Sequence, residues 1–479
     1  MMKFIVTSAV IAIILFSVPS GAYADLTPGE KPANIERGRI TADEETRSMK
    51  STEKVSGAKK DFTFDYGGWV FFDMEKYYDM DHNRQIEDWV KNDNYTDIRI
   101  WLKATYYRMV TFYARFSNLY FDVPEVSSDY SGKGSYNFGP RVDMLYATLD
   151  LSNKYNVPFS VTIGRQFFTV GKGITYSNTD DGVQAIYRIG DDIIVKGFAS
   201  QSRDHQYNVD YSLPSFRSDN DRHYYAAELA YIMPTAVFYV YGLYQDDCTK
   251  PKPQMPGQNF TYDSGYIGSG ISGQFGKNFS YWGEYIKEYG TSNTDAARTE
   301  LEVRPVDAWA FDIGANYKVD VYSHPTFECE MAYGSGDKDR KRVTNTVGGN
   351  INGKDTNFLY FGVFNAGYAF VPRLSNMYIY KVEGSLKPFE FIPYIGENIA
   401  FGAKYYVYNK DQLSGGVYDI YATEPSRYIG SECDTYMHYK AYENLYFTIH
   451  CGVFFPGKAF PDGYKTNSAY IEFRTLFLV

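Results

Sequence analysis

The sequence predicts an all-β fold: a single transmembrane antiparallel β-barrel of about 18 strands, with short periplasmic turns and long extracellular loops. Three observations predict it. Apolar and polar residues alternate in one strand-length run after another, the connections between runs are short and long by turns, and the last run is aromatic and apolar on one face. Period-two alternation puts successive side chains on opposite faces of a sheet. A sandwich or a propeller has no reason to keep one end's turns short and the other end's long. A barrel threaded into an outer membrane from the periplasm does.

The first 24 residues carry Lys3, an apolar run over 4–18 and Ala22-Tyr23-Ala24, the pattern of a secretory signal peptide. Residues 25–60 are polar, with Pro28, Pro32, Gly29 and Gly38, and predict a disordered periplasmic leader. The barrel is assigned to 61–479. Its first run is 61–79. Around 97–106, Asp97, Arg99, Trp101 and Lys103 alternate with Ile98, Ile100, Leu102 and Ala104. Further runs follow at 109–121, 141–152, 158–168, 182–190, 192–203, 222–233, 235–246, 262–275 and 278–289. The clearest is 306–319, where Trp309, Phe311, Ile313, Ala315 and Tyr317 oppose Asp312, Asn316 and Lys318. Runs at 325–334, 375–387, 394–408, 428–442, 445–455 and 468–479 complete the set. In the last, Ala469, Ile471, Phe473, Thr475 and Phe477 share the outward face, with Glu472 and Arg474 inward. Long connections are expected near 80–96, 122–140, 169–181, 204–221, 247–261, 290–305, 335–374, 409–427 and 456–467.

Composition agrees. Tyr (48) and Phe (34) are over-used, and pairs such as Tyr77-Tyr78, Tyr106-Tyr107 and Tyr224-Tyr225 fall at strand ends, where ring-bearing residues with polar tips suit a membrane–water interface. Beyond the signal peptide there is no apolar run long enough for a membrane helix. A net charge of −10 argues against nucleic acid as a partner. Four cysteines do not make a disulfide scaffold in a chain this long: Cys329, Cys433 and Cys451 take the outward parity, and Cys248 stands alone at a loop start. The six histidines form no sequence cluster, so neither metal nor cofactor is expected. No G-x-S-x-G occurs, and no inward Ser–His pair stands out. The chain reads as a non-enzyme.

Several segments resemble the alginate export family of outer-membrane barrels. They are Ile163-Gly164-Arg165-Gln166-Phe167-Phe168 with Asp181-Gly182-Val183, Tyr360-Phe361-Gly362, Ile429-Gly430-Ser431-Glu432-Cys433-Asp434, and Gly452-Val453-Phe454-Phe455-Pro456-Gly457. The resemblance implies an 18-stranded monomeric barrel that passes an anionic polysaccharide, alginate in the founding members, through an arginine-lined lumen. It departs from that family at the turn within 428–455, which is too short to hold a long periplasmic gating segment.

Strand parity supplies the lumen candidates: Arg99, Lys103, Arg115, Gln166, Arg188, Lys318, Lys404, Glu432, Asp434, Glu472 and Arg474. Lys196, Lys381, Lys440, Glu228 and Glu284 share the inward parity. Rings of basic side chains favour anions, whereas evenly mixed charges pair off across strands. Tyr146, Tyr224, Tyr406 and Tyr436, also inward, are placed to stack on sugars. Arg165 falls on the lipid-facing parity, where a charge costs roughly 2–4 kcal/mol at mid-membrane. Either a bulge at Gly164 flips the register, or Arg165 sits at the extracellular rim. The expected partners are outer-membrane lipid, anionic polysaccharide or small solutes, and a periplasmic export partner. The alternatives are a general or small-anion porin, and an adhesive barrel working through the loop 335–374 with its basic Lys338, Arg340, Lys341 and Arg342.

Overall fold

The structure, a computed structural model, describes residues 62–83, 90–126, 134–202, 221–248, 262–293, 303–340, 343, 350, 353–393 and 395–479. The signal peptide and leader expected over 1–60 lie outside the described residues. The strands are β1 (Phe62–Tyr78), β2 (Val90–Tyr106), β3 (Val110–Val126), β4 (Gly134–Asp150), β5 (Phe159–Val170), β6 (Tyr176–Ile189), β7 (Ile193–Gln201), β8 (Arg222–Ile232) and β9 (Ala236–Asp247). They continue as β10 (Asp263–Phe275), β11 (Phe279–Asn293), β12 (Val303–Lys318), β13 (Thr326–Gly334), β14 (Met377–Leu386), β15 (Ile399–Lys410), β16 (Tyr428–Tyr442), β17 (Leu445–Pro456) and β18 (Ser468–Leu478). All 18 form one sheet in which each pairs with its chain neighbour, and β1 pairs antiparallel with β18 from Trp69↔Leu478 to Tyr78↔Ala469. The sheet therefore closes. Closure gives every wall strand partners on both sides, which hydrocarbon requires because it offers backbone groups no other acceptor.

The two faces are inverted relative to a water-soluble protein. Phe72, Met74, Phe112, Leu145, Ile163 and Ile267 are exposed on the outside, while Asp73, Glu75, Arg99, Arg115, Glu284, Asp312 and Glu472 are buried inside. This is the alternation read in the sequence, now with its apolar side facing lipid. Cys329 and Cys433 are exposed and Cys451 half-buried, all three on the outward parity.

Strand boundaries differ from expectation at the extracellular end. The loops expected at 80–96 and 122–140 are shorter, because β2 begins at Val90, β3 runs to Val126 and β4 starts at Gly134. Where strands rise past the membrane, both faces meet water or polar groups, so alternation fades while hydrogen-bonded pairing continues. The loop expected at 169–181 is mostly strand: only 171–175 separates β5 from β6.

Inside the wall, five glycines lie under an aromatic ring of the residue paired directly across from them: Gly67 under Trp101, Gly268 under Tyr241, Gly270 under Tyr239, Gly314 under Trp282 and Gly402 under Tyr436. The missing side chain lets a large ring lie flat against the wall, which covers the bare backbone and curves the sheet. Gly314→Val places a branched side chain where the Trp282 ring lies. Overpacking of this kind costs about 1–3 kcal/mol, so the refolded variant should unfold at lower denaturant concentration than the parent. An unchanged midpoint would refute the close contact.

Candidate functional site: a lumen narrowed from within

Backbone register gives every lumen candidate the inward parity of its strand. Arg99 pairs with Trp69 and Ser117, Arg115 with Trp101, and Lys404 with Glu383 and Asp434. Glu472 pairs with Glu75 and His450, and Arg474 with Asp73. Gln166, Arg188, Lys318, Glu432 and Asp434 share that parity on β5, β6, β12 and β16. What the sequence could not show is that two chain segments enter the lumen and decide which of these residues line a path.

The first is the upper half of the β5–β6 hairpin. The β4–β5 ladder ends at Leu145↔Arg165 and the β6–β7 ladder at Asp181↔Gln201, while Arg165 and Asp181 pair with each other. Residues 166–180 thus leave the wall together. Arg165 marks the point of departure. Its Nε and Nη2 donate to the two Asp181 oxygens at 3.0 and 2.7 Å. No register shift occurs at Gly164, so the bulge alternative is not what the chain does. Arg165 stays outward at the local upper edge of the wall, neutralised by a bidentate partner. Gly164 and Gly182 are paired on the inner side of this bend. A Cβ on Gly164, whose φ is +124°, would run into the Leu145 carbonyl, and one on Gly182 into the Ala199 carbonyl and the Phe168 ring. The segment that resembles the family is therefore the base of an inward-leaning hairpin.

The hairpin tip reaches inward past β7 to β8, β11 and β12. Gly171 N–H donates to Glu228 at 2.8 Å and Lys172 N–H to Glu284 at 2.9 Å. Glu284 also accepts from Tyr241 at 2.6 Å and Tyr239 at 3.1 Å. Lys172 Nζ bonds Asp312 on β12 and lies 4.7 Å from the Trp282 ring centroid.

The second segment is the described part of the 335–376 loop, chiefly 353–376. It docks first on β12, where Asp307 N–H donates to the Asp355 carbonyl and Asp355 N–H to the Pro305 carbonyl, both at 2.9 Å. Leu359 N–H then donates to Glu288 at 2.9 Å, a carboxylate also held by Tyr262 at 2.6 Å. Phe361 and Val363 donate to the carbonyls of Thr175 and Gly173 at 2.9 Å, tying the loop to the hairpin. Finally Glu432 accepts three consecutive N–H groups, from Tyr368 at 2.7 Å, Ala369 at 2.6 Å and Phe370 at 3.2 Å. Phe370 stacks on Phe454, with centroids 4.2 Å apart, and Tyr368 on His450 at 4.5 Å.

Several expectations change as a result. Glu432 and Asp434 are fully buried beneath the loop and do not line an open path. Tyr224 and Tyr406 are likewise covered, whereas Tyr146 and Tyr436 are only half-buried. Arg340 is buried against Asp355 and unavailable to a passing anion; Lys341 and Arg342 lie outside the described residues. Glu288 and Lys172 were missed. Glu288 shares the inward parity of Glu284 four residues earlier, which was signal enough, but Lys172 sat in an expected loop and carried none.

Charge along β1–β4 and β18 is largely paired. Arg99 bonds Asp97 at 2.8 Å and Asp143 at 3.2 Å, and Arg115 bonds Asp143 at 2.6 Å. Both guanidiniums lie about the Trp69 ring, at 5.5 and 5.4 Å. Arg474 bonds Asp73 at 2.9 Å and also Glu472, which in turn is 2.6 Å from His450. Gln166 donates to the Thr162 carbonyl at 3.1 Å. Beside the arginines, Trp101, Tyr113 and Tyr146 stack in sequence across β2–β4, with centroids 6.2 and 5.0 Å apart and planes within 20°.

Above the membrane, His82 ties three loops together. Its Nε2 is 3.2 Å from Asp419, its Nδ1 is 3.2 Å from the Thr466 carbonyl, and its carbonyl accepts the Thr466 N–H at 3.3 Å. Burial and the neighbouring Asp81 push the nearby Asp79 carboxyl up to about 6.

An 18-stranded closed barrel with an apolar exterior, a charged interior and segments folded into its lumen is an outer-membrane channel of the porin class. The family model described as "Alginate export" matches residues 227–473, more than half of the chain, and the protein belongs to that family. It is a channel of the bacterial outer membrane and not an enzyme. The structure resembles OccK7 (OpdD) of Pseudomonas aeruginosa with a TM-score of 0.53 at 12% identity, over 88% of this chain and 99% of that one. It resembles OccAB1 of Acinetobacter baumannii with a TM-score of 0.52 at 11% identity, over 89% and 99%. For OpdK of Pseudomonas aeruginosa with vanillate, the TM-score is 0.52 at 10% identity, over 87% and 98%. At such identities the likeness is one of fold. A search of curated proteins finds no match.

Two outcomes follow from this geometry. Hydrogen bonds to a charged acceptor are worth roughly 1.5–3 kcal/mol each, so Glu432→Ala, which strands three loop N–H groups, should free the loop and raise single-channel conductance in planar bilayers. Glu432→Gln, which keeps one acceptor oxygen, should fall between. Equal conductance in all three proteins would show that the clamp does not set the path. For the loop junction above, the raised Asp79 value means that the folded state holds this proton more tightly than the unfolded chain, whose ordinary value is 3.8. Asp79 therefore supports the junction below about pH 4, and this support is lost as pH rises through about 6. Protection of the Thr466 amide from hydrogen exchange should fall over that window relative to Asp79→Asn. A pH-independent ratio of the two would refute it.

Proposed function

We propose that the barrel passes an anionic polysaccharide or oligosaccharide, alginate-like in its carboxylates, across the outer membrane. One observation carries the reading. Lys103, Arg188, Lys318 and Lys440 sit on the inner parity near the periplasmic ends of β2, β6, β12 and β16, spread around the circumference. Arg188, Lys318 and Lys440 are exposed and Lys103 is half-buried. Among the described residues none of the four has a side-chain partner. Asp65 lies opposite Lys103, Asp150 at the same end is bonded to Ser152, and Asp191, Asp192, Asp320 and Glu443 lie below in the turns after β6, β12 and β16, so the inward-facing ring itself is basic while the turns beneath it carry acids. A basic collar raises the local concentration of a polyanion and leaves the paired charges deeper inside undisturbed.

Past the collar, the half-buried rings of Tyr113 and Tyr146, backed by the buried Trp101, offer flat apolar platforms for sugar rings, beside the buried ion pairs of Arg99 and Arg115 with Asp97 and Asp143. The whole pathway lies within one barrel, which is compatible with a monomeric channel. A periplasmic export partner would deliver cargo to the same collar.

A second reading, a small-anion porin, is favoured by the hairpin and loop that narrow the lumen. Conductance separates the two. The parent should prefer anions in a salt gradient and be blocked by oligouronate added on the periplasmic side. Lys318→Glu with Lys440→Glu should shift the reversal potential toward cations and abolish the block. Anion preference without block would favour the porin reading, and cation preference in the parent would sink both.

A further inference from the structure

At the extracellular end of the β8–β9 pair, the outer face holds a group of side chains that the channel does not use. His223 and Asp246 are direct cross-strand partners, and Cys248 follows immediately after β9. One donor atom from each of the three lies within 4.8 Å of the other two. Cys248 Sγ is 3.9 Å from His223 Nδ1 and 3.5 Å from Asp246 Oδ2. Tetrahedral zinc, with Zn–S of about 2.3 Å and Zn–N or Zn–O of about 2.0–2.1 Å, sets such donors roughly 3.5 Å apart. The three donors stand close to ligand spacing.

The other ring nitrogen supplies an independent observation. His223 Nε2 is 3.5 Å from Asp221 Oδ1, the position in which a metal-bound histidine receives an orienting carboxylate. His223, Asp221, Asp246 and Cys248 are all partly exposed. Tyr225 and Tyr244, the next outward pair below, are 48% and 47% exposed. Such rings suit the interface, so the group stands just above the apolar band and faces the external medium. Free thiols are rare in oxidising compartments because they oxidise. Of the four cysteines, Cys329, Cys433 and Cys451 lie on the lipid-facing parity, and Cys248 is the one beside a histidine and a carboxylate.

We propose that His223, Asp246 and Cys248 bind a borderline-soft divalent metal ion, Zn2+ by their donor set, with Asp221 orienting the imidazole and a water in the fourth position. Nitrogen, oxygen and sulfur together suit Zn2+, whereas Mg2+ and Ca2+ take oxygen donors. Binding exchanges the thiol proton for the metal: the S–H bond breaks, its electron pair goes to the zinc, and the proton leaves to solvent. The ion ties β8 to the end of β9, where segments 203–220 and 249–261 begin and end in the chain. The site is separate from the lumen.

The test uses the untagged, full-length barrel, refolded in detergent, reduced and stripped of metal. Co2+ serves as a visible substitute for Zn2+. The parent should bind one Co2+ per barrel with a thiolate-to-cobalt charge-transfer band that Zn2+ abolishes. Cys248→Ser should lose the band, while a triple variant Cys329→Ser, Cys433→Ser, Cys451→Ser should keep it. His223→Ala should weaken binding, and Asp221→Asn should keep the band but lower affinity about 10–100-fold. Heat-modifiable gel mobility confirms that each variant is folded. No band in the folded parent, a band that survives Cys248→Ser, or parental affinity in His223→Ala would overturn the site.

Discussion

The structure depends on carboxylates of the inner wall accepting backbone N–H groups from segments folded into the lumen. A loop that enters a barrel carries polar groups that lose water and must find partners there. Glu228, Glu284, Glu288 and Glu432 meet that need for the hairpin tip and the 335–376 loop. A carboxylate with several donors aimed at it is a strong anchor, because each bond to a charged acceptor outweighs a neutral one. Tyrosines complete the shells of Glu284, Glu288 and Glu432.

This use of acid residues changes what the interior charge means. The inner wall is rich in glutamate and aspartate, yet much of that charge is committed to loops or to Arg99, Arg115, Lys381 and Arg474. A nearly even count of inward charges does not produce an evenly neutral lumen. Commitment is concentrated at mid-height and above, whereas Lys103, Arg188, Lys318 and Lys440 at the periplasmic mouth have no side-chain partner among the described residues. The acidic net charge of −10 therefore coexists with a ring of inward bases at the periplasmic end.

The Arg165–Asp181 pair and the Gly164–Gly182 pair acquire a physical meaning in the same frame. The glycines let two strands bend inward across backbone that would not clear a Cβ, and the ion pair seals the outer side of the bend. These residues make a bend in the wall, and nothing in the geometry requires them to touch cargo.

The sequence by itself determined the strand count, the membrane-facing sides and the lumen-facing sides. Those follow from a period of two and from the need to hide backbone polarity from lipid, both of which are local. Even Glu472 and Arg474, two residues apart on the last strand, could be placed inward from their neighbours alone. What lies inside the barrel was decided only by the tertiary structure. The upper β5–β6 hairpin has strand pattern whether it continues the wall or leaves it. Glu432 has inward parity whether it meets water or a loop. Asp246 and Cys248 are neighbours in sequence, but His223 reaches them only because β8 and β9 are paired. Parity is a property of one strand, whereas occupancy of the lumen and the meeting of side chains across strands depend on residues from separate parts of the chain.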